Sequence, residues 1–184
     1  MDKKKLIRRS YFIKRKKFYF EINKKFFDPL FYLVKKLKRN KKMSISIYYP
    51  NSFEINILKI LENEKFRKFN FLLPKIGKNN SMNFYKWSKK DILFLNKYGI
   101  PEPLKSKKIL PDIILVPLLV YDKNKNRIGY GKGFYDRYLY KYIKKYKKIV
   151  TVGVAFSFQR YHKLPISKND VKLDLILTDK GLIE

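Results

Sequence analysis

Apolar residues recur at helical spacing through the first forty positions, at Leu6, Ile7, Phe12, Ile13 and Phe20, then at Leu30, Phe31, Leu33, Val34 and Leu37. This spacing predicts two helices with a break near Asp28-Pro29, because proline cannot sit in a helix interior. The pattern then changes to short β-branched and aromatic runs. Ser44–Tyr49 reads as a strand stopped by Pro50, Phe69–Pro74 as a second, and Met82–Trp87 as a third. Asp112–Tyr121 and Lys148–Phe156 are almost continuously apolar, as strands buried on both faces of a mostly parallel sheet are. Leu173–Leu177 predicts a last strand. Helical spacing returns at Ile57, Leu58, Ile60 and Leu61 and from Tyr135 to Tyr146, while Gly99–Pro103 reads as a rigid turn and Leu104–Leu110 as a polar, basic linker. Strands alternating with helices predict one α/β domain over residues 1–184. It would have three layers and be Rossmann-like, with a mostly parallel sheet and helices on both faces.

Composition changes this picture in few places. A chain of 184 residues is sized for one core. It has no cysteine and one histidine, which excludes disulfides, thiolate chemistry and a Cys/His zinc site. No apolar run reaches the roughly 18 residues of a membrane span, and no secretory signal is visible, so a cytoplasmic monomer is expected. Lys and Arg total 45 against 15 acids, for a formal charge of +30. One reading is a nucleic-acid binder on an α/β scaffold, without catalysis. The other is biased composition: Lys, Asn, Ile, Phe and Tyr abound, and Ala155 is the only alanine, as an A+T-rich coding sequence produces. The lysines run along the whole chain instead of clustering, which favours the second, so no specific nucleic-acid partner is expected.

The densest candidate chemistry is Arg127-Ile128-Gly129-Tyr130-Gly131-Lys132-Gly133-Phe134-Tyr135-Asp136-Arg137. Three glycines alternate between an apolar strand and a helical pattern. That order can set backbone N–H groups and a helix N-terminus around phosphate oxygens, though a flexible turn would also account for it. The dinucleotide and P-loop fingerprints both fail, at Phe134 and for want of Ser or Thr after Lys132. The cations Arg127, Lys132 and Arg137 suit a polyphosphate, and Asp136 suits its Mg²⁺. Elsewhere Lys4 and Arg8 share a helix face, a pair that a solvated basic face also supplies. Glu54 reads as a helix-start acid, Asp170 as a turn residue, Trp87 as core and His162 as structural or exposed.

The passage PDIILVPLLVYDKNKNRIGYGKGFYDRYL resembles the signature of the 5-formyltetrahydrofolate cyclo-ligase family, which is also called methenyltetrahydrofolate synthetase. The match is long and ungapped. Two positions depart from it: Asn126 replaces the usual Gly, and Phe134 the usual Tyr, which removes a hydroxyl. Asn tolerates a left-handed backbone, so the first change is mild. Lys4-Lys5-Leu6-Ile7-Arg8, the segment from Ile45 to Leu58, Gly99–Pro103 and Asn169–Asp174 are similar to further family segments. The resemblance implies that Lys4, Arg8, Lys132 and Asp136 are catalytic. It implies an ATP site formed by Lys4, Arg8, Arg127, Ile128, Gly129, Tyr130, Gly131, Lys132, Gly133, Phe134 and Tyr135. Tyr49, Glu54, Tyr130, Gly131, Lys132, Gly133 and Phe134 would hold the reduced folate, and Asp136 and Asp170 would hold Mg²⁺. The implied reaction is ATP- and Mg²⁺-dependent conversion of 5-formyltetrahydrofolate to 5,10-methenyltetrahydrofolate, with release of ADP and phosphate.

Overall fold

The computed structural model describes residues 2–37, 42–104, 107–143, 145–146 and 148–184. Along them run the helices α1 (Lys3–Phe18), α2 (Asp28–Lys36) and α3 (Phe134–Ile143). The strands are β1 (Ser44–Ser46), β2 (Asn70–Ile76), β3 (Met82–Lys86), β4 (Leu93–Leu95), β5 (Pro101–Pro103), β6 (Ile113–Pro117), β7 (Val120–Asp122), β8 (Arg127–Ile128), β9 (Val150–Val154), β10 (Arg160–Tyr161), β11 (Leu175–Thr178) and β12 (Gly181–Ile183).

Seven strands form the main sheet in the order β12-β11-β9-β6-β1-β2-β3. The five central strands pair in parallel, and the edge strands β12 and β3 are antiparallel. Side chains of one strand alternate between two apolar layers. Ile113 and Leu115 join Leu30 and Val34 of α2 on one face, while Ile114 and Val116 join Tyr138 and Leu139 of α3 on the other. The expected α/β class with helices on both faces is therefore present. Gly153 of β9 shows how tight the α3 side is. A Cβ there would lie 2.7 Å from Ile176 Cδ1, 2.7 Å from Leu118 Cδ2 and 2.8 Å from Leu173 Cδ1. Gly153→Ala should cost about 1–3 kcal/mol in urea unfolding, as overpacking does; an unchanged midpoint would mean that the three side chains give way freely.

From β1 the chain grows the sheet through β2 and β3, then returns to the other side of β1 through β6, β9 and β11. The direction of growth reverses between β1 and β6. In open α/β sheets ligands bind at such a reversal, beyond the carboxyl ends of the strands.

Several local expectations are corrected. α1 ends at Phe18, so Phe20 lies outside it, and Pro29 opens α2 instead of breaking a helix, since a first-turn residue needs no N–H acceptor. The run 112–121 belongs to two sheets: β6 stops at Pro117, and β7 pairs with β8 and β10 in a small second sheet. Between them the Leu118 carbonyl accepts from Arg15 and Gln159 side chains, and that of Leu119 accepts from Gln159. Ile57–Glu62 is a 3₁₀ helix, and Gly99–Pro103 contributes β5 to a hairpin with β4. Of the expected linker, Lys105 and Ser106 fall outside the described residues, but Lys108 bridges to Tyr85 and the Ile109 N–H donates to the Phe84 carbonyl, so this part continues the sheet edge. Within the expected helix 135–146, Lys144 is likewise outside the described residues.

Candidate functional site

A cavity of about 800 Å³ opens at the carboxyl ends of β1, β2 and β6, where Tyr48 and Tyr49, Ile76, and Pro117 form its floor. Every site residue expected from the sequence lines it: Lys4, Arg8, Tyr49, Glu54, the segment Arg127–Asp136, and Asp170.

One end is cationic and built on α1 and the glycine loop. Asp2 caps α1 by accepting from the Lys4 N–H at 2.9 Å, and the helix then carries Lys4 and Arg8 on one stripe. Arg8 Nε donates to the Gly129 carbonyl at 3.0 Å. Its guanidinium lies against Gly131, where a Cβ would sit 3.4 Å from Arg8 Cζ. Gly131 has φ +95°, a conformation that side chains other than glycine's resist. Gly131→Ala should therefore disfavour the loop by about 1–2 kcal/mol; an unchanged urea midpoint would show that the loop accommodates the added Cβ without strain. Gly133 directly precedes α3, so the first N–H groups of that helix face the cavity mouth. Lys132 is exposed, with Nζ 5.5 Å from the Tyr98 ring centre.

Asp136 stands in the first turn of α3. Its Oδ1 accepts from Arg127 Nη2 at 2.6 Å and, at 3.4 Å, from the Val171 N–H. Asp170 Oδ2 accepts from the Ser167 N–H at 2.6 Å and from Lys4 Nζ. Each carboxylate thus keeps its second oxygen outside these bonds. Among the described residues no cluster of three His, Cys, Asp or Glu side chains could cage a metal ion. Two carboxylates fit Mg²⁺ as an ion shared with phosphate oxygens and water, and do not fit a closed protein site. Arg127 is buried and its guanidinium is already held by Asp136 and the Val171 carbonyl. Burial pushes it down from its ordinary value, while Asp136 and Asp170 oppose that push. Ile128 packs its side chain into a small core with Ile7, Leu119, Val120 and Leu164.

The other end is acidic and aromatic. Glu54 is not a helix-start acid. It sits ahead of the 3₁₀ helix that starts at Ile57, and only 7% of it is exposed. Burial raises its carboxyl above the ordinary value of 4.5, against the Arg15 charge, the Asn51 N–H and the Tyr130 hydroxyl, which pull it down. Burial first and Glu54 second push the hydroxyls of Tyr48, Tyr130 and Tyr135 upward, so all three are neutral donors at neutral pH. The Tyr135 hydroxyl is buried without a hydrogen-bond partner among the described residues. Phe134 makes ring contacts with Tyr98 at 6.0 Å and with the Arg137 guanidinium at 5.4 Å, an apolar role that needs no hydroxyl.

The remaining residues divide. Trp87 is core, and His162 is exposed and does not line the cavity. Asn126 is not left-handed; Lys125 is, at φ 63°, and the Asn126 side chain instead donates to Asp122 Oδ2 at 3.0 Å. Asp170 does close a turn, but also reaches Lys4. Sequence reasoning missed Arg15 and Tyr98. Arg15 lies seven residues beyond Arg8 on the same stripe of α1, a spacing that could have singled it out. Tyr98 precedes the Gly-Ile-Pro-Glu-Pro segment, on the hairpin that leans over the cavity.

Fold and site together define an α/β protein with a cation-flanked glycine loop beside a buried carboxylate, at the reversal point of its sheet. The chain belongs to the 5-formyltetrahydrofolate cyclo-ligase family, whose model matches residues 1–179. A 5-formyltetrahydrofolate cyclo-ligase of Haemophilus influenzae is 30% identical over 156 residues, covering 77% of this chain and 78% of that one. A probable 5-formyltetrahydrofolate cyclo-ligase of Schizosaccharomyces pombe is 33% identical over 129 residues, 62% of this chain and 63% of the relative, so the chain spans less than two thirds of that protein. The solved 5,10-methenyltetrahydrofolate synthetase of Aquifex aeolicus superposes with a TM-score of 0.72 at 28% identity, over 97% of this chain and 91% of that one. No described helix is long and apolar enough to cross a membrane.

Proposed function

We propose that this protein converts 5-formyltetrahydrofolate to 5,10-methenyltetrahydrofolate with consumption of ATP, as a monomer in the cytoplasm. The observation that carries the reading is the polarity of the cavity. Cations and loop amides stand at one end, and a buried carboxylate among aromatic rings stands at the other. The first end suits a triphosphate, and the second suits a pterin, whose paired N–H groups need an acceptor.

In this reading Glu54 and Tyr49 hold the pterin, and the loop amides with Lys4, Arg8 and Lys132 hold the triphosphate. The formyl oxygen attacks the γ-phosphorus. The new O–P bond forms as the bond to the β-phosphate oxygen breaks, and ADP leaves. N10 then attacks the imidate carbon. The C–N bond forms, the C–O bond breaks, and phosphate departs with the N10 proton. Lys4, Arg8 and Lys132 stabilise the charge that moves onto the phosphate oxygens, and the rigid α1 and loop keep donor and acceptor aligned. Mg²⁺ held by Asp136 and Asp170 with phosphate oxygens would supply further charge neutralisation. No covalent nucleophile is required.

The test is an assay of the purified protein with 5-formyltetrahydrofolate, ATP and Mg²⁺, read by the near-ultraviolet absorbance of the methenyl product. Product that requires ATP is expected. None from folded protein would overturn the reading and favour the non-catalytic nucleic-acid binder, which needs neither ATP nor Asp136.

A further inference from the structure

We propose that Arg15 is the positioning residue of the folate end, holding Tyr130 and the turn that carries Glu54 in one hydrogen-bonded hub; its bearing on catalysis rests on the pterin role given above to Glu54. Arg15 is 1% exposed, which is unusual for a chain whose other cations are mostly solvated. Nη1 donates to the Leu118 carbonyl at 3.2 Å, just past β6. Nη2 donates to the Ser52 carbonyl at 2.7 Å and to the Tyr130 hydroxyl of the glycine loop. Its Nε has no partner among the described residues. One planar fork therefore joins α1, the end of β6, the glycine loop and the turn before Glu54, which a lysine could not do.

That turn needs holding. Ser52 and Phe53 are left-handed in succession, at φ 51° and 63°, a costly conformation for a bulky side chain. The Glu54 N–H donates to the Asn51 carbonyl at 3.1 Å, and Glu54 Oε2 accepts from the Asn51 N–H at 2.9 Å. The turn is closed on itself and tied to the rest of the fold through Arg15.

The charged and titratable groups facing Glu54 are Arg15 from α1, Tyr48 after β1, Tyr130 from the loop and Tyr135 from α3. Arg15 is the cation among them. Without it the carboxylate would be a buried charge opposed only by neutral hydroxyls and one N–H. Its proton would then leave at higher pH, and the folate end would gain its acceptor only there.

The experiment compares wild type, Arg15→Met and Arg15→Lys. Methionine fills much of the volume without charge, and lysine keeps the charge but loses the fork. The primary readout is the pH titration of the Glu54 carboxyl in ligand-free protein by carbon-13 NMR, assigned by its loss in Glu54→Gln. The midpoint should rise by about 1–3 pH units in Arg15→Met and by less in Arg15→Lys. The second readout is binding of 5-formyltetrahydrofolate and of ATP, each alone. Arg15→Met should weaken the folate at least tenfold at pH 7, with the loss recovered as pH rises, and should alter ATP affinity less than threefold. Should Arg15→Met fail to fold, Tyr130→Phe reads the same hub by removing the hydroxyl between Arg15 and Glu54, with a smaller rise expected. An unmoved Glu54 midpoint in a folded variant, or equal weakening of folate and ATP, would overturn the proposal. Wild-type protein that binds no folate but shows the midpoint shift would instead overturn the pterin role and leave the hub standing.

Discussion

Asp136→Asn is expected to lower kcat about 100–1000-fold at saturating ATP and to raise the Mg²⁺ concentration needed for half-maximal rate. Asparagine keeps an oxygen toward Arg127 but loses the anionic charge that the proposed phosphate-bound Mg²⁺ would require. The same change has a folding cost. The Arg127 side chain is 4% exposed, and its ion pair with Asp136 at 2.6 Å is its only carboxylate contact among the described residues. Weakening a hydrogen bond to a buried charge costs about 1–3 kcal/mol, so a lower urea midpoint should accompany the lost turnover.

Asp170→Asn separates the two effects. Its pair with Lys4 is partly solvated, with side chains 18% and 28% exposed, and such pairs contribute about 1 kcal/mol or less. A comparable fall in kcat with little change in stability is expected there. If Asp136→Asn loses stability yet turns over within about threefold of wild type, Asp136 serves only to neutralise Arg127.

The parts of this site legible in the sequence are those where local rules and tertiary structure ask for the same residue. Gly131 needs its positive φ whatever lies around it, and Arg8 then packs on the space that the missing side chain leaves. The central strands are legible because a short, continuous apolar run is stable only where both faces of a strand are covered. Arg15 is not legible. Among 45 Lys and Arg residues, a buried cation looks like the rest of a basic helix, and only its contacts with Ser52, Leu118 and Tyr130, far away in sequence, distinguish it. The split of run 112–121 between two sheets is hidden for a related reason. Leu115 and Val116 before the break are as buried as Val120 after it, so no alternation marks the turn. Local rules misplace Glu54 because its neighbours are a turn with two left-handed residues that contains no glycine. The family resemblance, carried by the surrounding residues, points to the cavity instead.

Glu54→Gln should separate what the buried carboxylate does for binding from what it does for stability. Affinity for 5-formyltetrahydrofolate should fall about 10–100-fold, the loss of a hydrogen bond to a charged acceptor, with ATP affinity nearly unchanged. The stability effect has the opposite sign. Burial raises the Glu54 carboxyl above 4.5, so between that value and its native titration the folded protein holds a proton that the unfolded chain has released. Stability therefore falls as pH rises through this window. Glutamine removes the titrating group, so Glu54→Gln should match wild type in urea at pH 4 and exceed it at pH 8. A variant less stable than wild type at pH 8 would mean that Arg15, the Asn51 N–H and the Tyr130 hydroxyl more than offset burial. The carboxylate would then hold the fold together as well as the substrate. The expected result, weaker binding in a more stable protein, would identify Glu54 as a charge kept buried for recognition although it destabilises the fold.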